Sequence, residues 1–222
     1  MVNQFDYGLT DITTDSGRIY VLPDGTQYPS VTTVLGHVKP QGIIDWEERI
    51  GLIEADRIRD IATSKGSKLH DLVERYLDGQ KPDHKREFPD VNALFFKIKS
   101  ELDKISNIVC QEAALYSDEL KIAGRVDCVG KYNGQYAIID FKTASKPKKP
   151  EYITSYCEQI TGYGRMFYER TGINIRRGVI IMASPIKGQV FKVRLDDHIE
   201  SLKAKIEGYY QDVEANTDTI IE

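Results

Sequence analysis

Ile122-Ala-Gly-Arg-Val-Asp-Cys-Val-Gly-Lys-Tyr-Asn-Gly-Gln-Tyr-Ala-Ile-Ile-Asp-Phe-Lys-Thr143 is the stretch on which the reading of the fold turns. Asn133-Gly134 signals a two-residue type I′ connection, and the runs on either side are rich in Val, Ile and Tyr, so the stretch is a β-hairpin. With those two residues as the whole loop, Tyr132 faces Gln135, and counting outward sets Asp127 opposite Asp140. Directly opposed side chains have Cβ atoms about 4.5–5.5 Å apart, where like charges are destabilising unless something neutralises them. A divalent cation would do so. The strand period of two returns Lys142 to the face of Asp140 and sets Arg125 opposite Lys142. The other face, Val126, Cys128, Ile139 and Phe141, is apolar core.

These residue types point to hydrolytic chemistry. Oxygen ligands suit Mg²⁺ or Mn²⁺, which orient a water, lower its pKa and accept the charge that develops on a phosphoryl oxygen. Lys142 then stands as a point charge near the attacking water or the phosphate. The competing reading is a solvated hairpin with a screened salt bridge. Against it, Ala137, Ile138 and Ile139 run straight into Asp140, as in a strand buried on both faces.

Length and composition set the frame. A chain of 222 residues accommodates one domain with a substantial core. It divides into a hairpin and helical part (residues 18–105), a core carrying the chemistry (106–195) and a terminal helix (196–222). With 41% hydrophobic and 29% charged residues and no apolar run of about 18, a transmembrane span is excluded. Met1-Val-Asn-Gln-Phe-Asp6 does not read as a secretory signal. Cys110, Cys128 and Cys157 suit buried thiols in a reducing cytoplasm. The net charge of −4 argues against non-specific coating of nucleic acid.

Working outward, residues 1–17 are polar and turn-rich. Arg18 to Leu22 and Gln27-Tyr28 form a short hairpin, and Ser30 caps a helix running through Val31 to Leu35. Ile43, Trp46, Ile50, Ile53 and Ile58 recur at helical spacing and predict an amphipathic helix to about Ala62. Ser64-Lys-Gly-Ser67 starts a second helix, Lys68 to Leu77, which places His70 and Glu74 on one face. Gly66 either ends the preceding helix or lets something approach the backbone. Residues 78–90 read as a loop, and Val91 to Ile105 as another amphipathic helix. Ile108 to Tyr116 is strand-like, and its lone Glu112 is either paired or a ligand. Lys146, Lys148 and Lys149 form a basic loop, either solvated or in contact with phosphates. Tyr152, Tyr156, Gln159, Tyr163 and Arg170 share a broad face of the next helix, suited to ordinary packing or to base stacking. Asn174 to Ala183 and Gln189 to Leu195 are strands, and a last helix runs towards Val213 with Ile199, Leu202, Ile206 and Tyr209 inward.

Gly66-Ser-Lys-Leu-His70, Glu112, Gly124-Arg-Val-Asp127, Asp140-Phe-Lys142 and Gln159-Ile-Thr-Gly-Tyr163 together resemble the PD-(D/E)XK nuclease superfamily, specifically its RecB-type exonuclease branch, which includes mitochondrial genome-maintenance exonucleases and compact phage enzymes. Tyr28-Pro-Ser-Val-Thr-Thr-Val-Leu35 is similar to the amino-terminal part of that group, and the resemblance covers about residues 18–195. It implies an α/β fold with a restriction-endonuclease-like core, a central mixed sheet flanked by helices, and a helical amino-terminal part. It also implies that His70, Asp127, Asp140 and the Phe141 carbonyl bind Mg²⁺ or Mn²⁺, and that Lys142 positions or activates the hydrolytic water. Glu112 then holds the site or a second cation, Gln159 and Tyr163 orient the lysine or contact DNA, and Thr143 and Arg125 contact the backbone or support the site. An iron–sulfur cluster, held in some relatives by one upstream and three carboxy-terminal cysteines, is not expected, because no cysteine precedes Cys110 or follows Cys157.

The implied activity is metal-dependent exonucleolytic hydrolysis of DNA from single-stranded ends in replication, recombination or repair, with proteins of those processes as partners. The implied location is the cytoplasm, that of the host if the chain is phage-encoded. A flap endonuclease, an inactive DNA-binding protein and a nuclease-like subunit of a larger complex are the alternatives.

Overall fold

A computed structural model describes residues 5–82 and 87–218. Its centre is a five-stranded mixed sheet in the order β4-β5-β6-β7-β8, comprising β4 (Ile105–Ser117), β5 (Ile122–Tyr132), β6 (Gln135–Thr143), β7 (Arg177–Ala183) and β8 (Gly188–Arg194). Only β6 and β7 pair in parallel, and the crossover between them carries helix α5 (Thr154–Thr171), since parallel neighbours need a long connection. The hairpin turns at Asn133 and Gly134, whose φ values of 50° and 78° are those of a type I′ turn. From there the pairing runs as expected, Tyr132 with Gln135 through Cys128 with Ile139.

Both faces of the sheet are covered, which accounts for the unbroken apolar run before Asp140. On one face Val129, Ile138 and Ile180 pack with Ile160 and Met166 of α5, with Val31 and Val34 of the capped helix α1 (Val31–Gly36), and with Leu202 of α6 (Ile199–Asp218). On the other, Cys128, Ile139, Phe141 and Val179 pack with Leu69, Leu72 and Val73 of α3 (Leu52–Leu77) and with Phe95 and Ile98 of α4 (Pro89–Leu102). Val126 belongs to the first cluster although Cys128 belongs to the second. Simple alternation along β5 therefore fails between them, at Asp127. Opposite this point on β4, Glu112 has a left-handed φ of 47°, a local break in the strand that shifts the phase of its neighbours.

The amino-terminal half differs from expectation in two places. Thr10–Thr14 is a strand, β1, pairing with β2 (Gly17–Val21) and through it with β3 (Gln27–Pro29) in a separate three-stranded sheet. All five residues of β1 are exposed, so no apolar pattern betrays it. The helical break also falls elsewhere. Helix α2 (Gln41–Ile50) ends at Gly51, whose φ of 84° suits glycine, and α3 then runs 26 residues without interruption through Gly66. Buried Glu47 pins the two helices, accepting from Lys39 and Arg59. Ile43, Ile53 and Ile58, expected inward, are exposed, because this end of the helical pair reaches beyond the sheet. Residues 83–86 of the expected loop lie outside the described residues.

Candidate active site

Pairing between β5 and β6 stops after Cys128 and Ile139, one step before Asp127 would meet Asp140. Past that step β6 stays with β7, and Asp127 Oδ2 accepts a hydrogen bond from the Phe141 N–H at 2.7 Å, in place of a further backbone partner. The two strands open as a fork, and a cleft of about 560 Å³ occupies the opening. Its lining includes Gly66, Ser67, His70, Asp71 and Glu74 from α3, Glu112 from β4, Gly124, Arg125 and Asp127 from β5, Lys142 from β6, and Gln159 and Tyr163 from α5. Gly124 is required by close packing: a Cβ there would stand 2.7 Å from Cε1 of Tyr163.

His70, Glu112 and Asp127 bring ligand atoms to within 4.8 Å of one another. The His70 Nε2–H donates to the Phe141 carbonyl at 2.8 Å, which fixes the tautomer and turns Nδ1 towards Asp127 (3.6 Å) and Glu112 (3.9 Å). The Phe141 carbonyl, expected as a ligand, thus orients the imidazole here. Asp140 is fully buried, with Lys142 Nζ 2.8 Å from Oδ1 and 2.7 Å from Oδ2. Only the first of these has hydrogen-bond geometry, so Oδ2 is a buried acceptor without a hydrogen bond. Of the expected ligands, then, His70 and Asp127 converge with Glu112, and Asp140 stands behind them on Lys142.

Burial pushes the Asp127 carboxyl up, against the charges of His70 and Lys142. It pushes Asp140 up to about 6, because desolvation outweighs Lys142. For His70 burial acts downward, but the Asp127 charge and the neighbouring Glu112 carboxylate prevail and raise it to about 9. Lys142 is likewise raised, burial notwithstanding, by Asp140 and Asp127. Burial, followed by Asp127 and Asp140, holds the Tyr163 hydroxyl well above its usual value. The raised His70 and Lys142 express the surrounding carboxylates, while the raised carboxyls express burial. With a neutral His70, three carboxylates (Glu112, Asp127, Asp140) against one ammonium leave two negative charges, which one divalent cation balances. A donor set of carboxylates plus one imidazole fits Mg²⁺ or Mn²⁺.

The other expected residues divide into two groups. Arg125 lines the cleft and donates from Nη1 to the Glu112 carbonyl at 2.7 Å. Gln159 donates from Nε2 to the Tyr163 hydroxyl at 2.8 Å in the buried wall. Thr143 lies against α3, its Oγ1 3.6 Å from where a Gly66 Cβ would be, an ordinary contact, and Gly66 does not end a helix. Lys146, Lys148 and Lys149 lie outside the lining. Lys148 donates to the Tyr156 hydroxyl at 3.1 Å, Lys149 pairs loosely with Glu151 at 3.7 Å, and Lys146 is exposed. Arg18, Ser30 and Thr32 line the cleft unanticipated. Long-range contacts, among them the bridge of Ser30 to Ala123, bring that segment to the site, and nothing local in the sequence signals them.

The family model described as the PD-(D/E)XK nuclease superfamily matches residues 66–215. Mitochondrial genome maintenance exonuclease 1 of Mus musculus is 30% identical over 128 residues, and its Homo sapiens counterpart 28% over 129. Each match covers 54% of this chain and 38% of the relative, so the shared part is little more than a third of those proteins. A solved structure titled "Crystal structure of SSO0001" covers 80% of this chain and 72% of that one at 15% identity, with a TM-score of 0.42. Among the described residues no helix is long and apolar enough to cross a membrane. The matched span holds His70, Glu112, Asp127, Asp140 and Lys142 in one fork of the sheet, and the chain belongs to the PD-(D/E)XK nuclease superfamily.

Proposed function

We propose that the chain is a divalent-metal-dependent deoxyribonuclease, an exonuclease that hydrolyses the phosphodiester bonds of DNA from single-stranded ends. The observation that carries this reading is the convergence of His70, Glu112 and Asp127 beside a lysine held on buried Asp140. His70, Glu112 and Asp127, with Asp140 behind them, would hold Mg²⁺ or Mn²⁺, which would supply Lewis acidity and a water of lowered pKa. The protein's own groups do the rest. Lys142, held on Asp140, positions or activates the attacking water, or stabilises charge developing on a phosphoryl oxygen. His70 is held in one tautomer by the Phe141 carbonyl, and Gln159 keeps the Tyr163 hydroxyl fixed in the wall. The exonuclease and genome-maintenance names of the mouse and human relatives support DNA and free ends as the substrate, with replication, recombination or repair as the setting.

The test is incubation of the protein with end-labelled single-stranded and duplex DNA in Mg²⁺, Mn²⁺ or EDTA. Progressive shortening of the single strand in metal and none in EDTA is expected. Lys142→Ala is expected to lower turnover by about 100-fold or more while oligonucleotide affinity changes little. Absence of metal-dependent cleavage by the wild type overturns the reading.

A further inference from the structure

The cleft that would receive a phosphate strand is rich in acids. Asp71, Glu74, Glu112 and Asp127 all line it, and Lys142 is committed to Asp140. The remaining strong cations of the lining are Arg18, from β2, and Arg125, from β5. Their side chains are 49% and 40% exposed, and both point at the same carboxylate, Asp11 of the exposed edge strand β1. The contacts are loose: Arg18 Nε stands 3.6 Å from Asp11 Oδ2 and Arg125 Nη2 stands 3.7 Å from Oδ1. Surface pairs such as Arg170 with Asp118 and Arg165 with Glu119 close to 2.8 Å. Arg125 is also anchored by one edge alone, Nη1 on the Glu112 carbonyl, which leaves Nη2 presented to the cleft mouth. Two guanidiniums flanking one weakly held anion have the geometry of a receptor for an anion, and guanidinium forks match phosphate.

We propose that Arg18 and Arg125 form a clamp for a backbone phosphate of the nucleic-acid strand at the mouth of the cleft, and that Asp11 occupies the clamp when no strand is bound. The small amino-terminal sheet is then a part of the substrate site, and its edge strand carries a competing anion that sets how readily a strand is admitted. This rests on the nuclease reading above and names the residues that would receive the substrate's backbone.

The experiment measures binding of a fluorescein-labelled dT12 by anisotropy in Ca²⁺, with oligonucleotide length checked on a gel, for wild type, Arg18→Gln, Asp11→Asn and the double variant. Arg18→Gln is expected to weaken binding about tenfold and to flatten the plot of log affinity against log salt by about 0.7, the value for one phosphate contact on a single strand. Asp11→Asn is expected to tighten binding about two- to fivefold, the range set by displacing an exposed ion pair. In the double variant part of that gain is expected to vanish, since Asp11 then competes only at Arg125. A structural ion pair predicts the opposite sign for Asp11→Asn, so weaker or unchanged binding by that variant overturns the clamp, as does an equal gain with and without Arg18. If wild type binds and cleaves DNA but these variants behave alike, the clamp alone is wrong. If wild type neither binds nor cleaves, the nuclease reading fails and takes the clamp with it.

Discussion

His70 shows what the site demands of a single residue. Its imidazole sits among carboxylates that raise its pKa to about 9, so without metal it is a cation at neutral pH. Its Nε2–H is held by the Phe141 carbonyl, which leaves Nδ1 as the atom that must lose its proton before it can ligate. Metal binding therefore releases that proton at any pH below about 9, and apparent affinity rises with pH by about tenfold per unit until the imidazole is already neutral. Calorimetric titration with Mn²⁺ between pH 6.5 and 8.5 should show this slope, and His70→Gln should flatten it. A flat wild-type profile would mean that metal binds without the histidine. The same pKa bears on stability in the metal-free protein: raised above its unfolded value, it contributes below pH about 6.5, and this contribution is lost as pH rises towards 9.

At the scale of elements, most of what the sequence makes legible is local. Asn133-Gly134 determines the turn, and the turn determines the register, because both positive φ values belong to two adjacent residues. The acids, the lysine and the Gln-Tyr pair were legible as motif residues for the same reason. Features that depend on distant partners were not. The strand β1 is polar and exposed, the phase change at Asp127 depends on an unusual φ at Glu112, and Arg18 reaches the cleft through long-range contacts such as the bridge of Ser30 to Ala123. The helix break is an intermediate case, since Gly51 and Gly66 are equally visible and only the positive φ at Gly51 distinguishes the one where the chain turns. The approach of α5 to β5 can be tested directly. Gly124→Ala places a methyl 2.7 Å from the Tyr163 ring and 3.3 Å from Val31 Cγ1, and should lower stability by about 1–3 kcal/mol in urea unfolding. Gly42→Ala, with open space around it in α2, should be neutral or stabilising by up to about 1 kcal/mol. Equal effects from both would remove the packing argument.

For the whole molecule, the site is a place where the fold holds uncompensated charge. Two carboxylates, Glu112 and Asp127, converge with His70 at the open end of the sheet, and a third, Asp140, is fully buried behind them. A cation that binds this arrangement stabilises the folded chain by mass action, about 2.7 kcal/mol at a hundred times its dissociation constant. Calorimetric scans should show the melting temperature rising by several degrees with Mn²⁺, with much of the increment lost in Asp127→Asn. An increment unchanged by that substitution would place the cation elsewhere.

The fork between β5 and β6 has a consequence of its own. A sheet that ran on in register would zip shut over this position, and the stop on that zipper is the Asp127 carboxylate standing on the Phe141 N–H. One oxygen atom thus holds the jaws apart and faces His70 Nδ1 across the space it keeps open. An amide at position 127 can still accept from the Phe141 N–H but carries no charge. The mechanical duty and the chemical one are therefore separable by substitution, although in this chain they rest on the same atom.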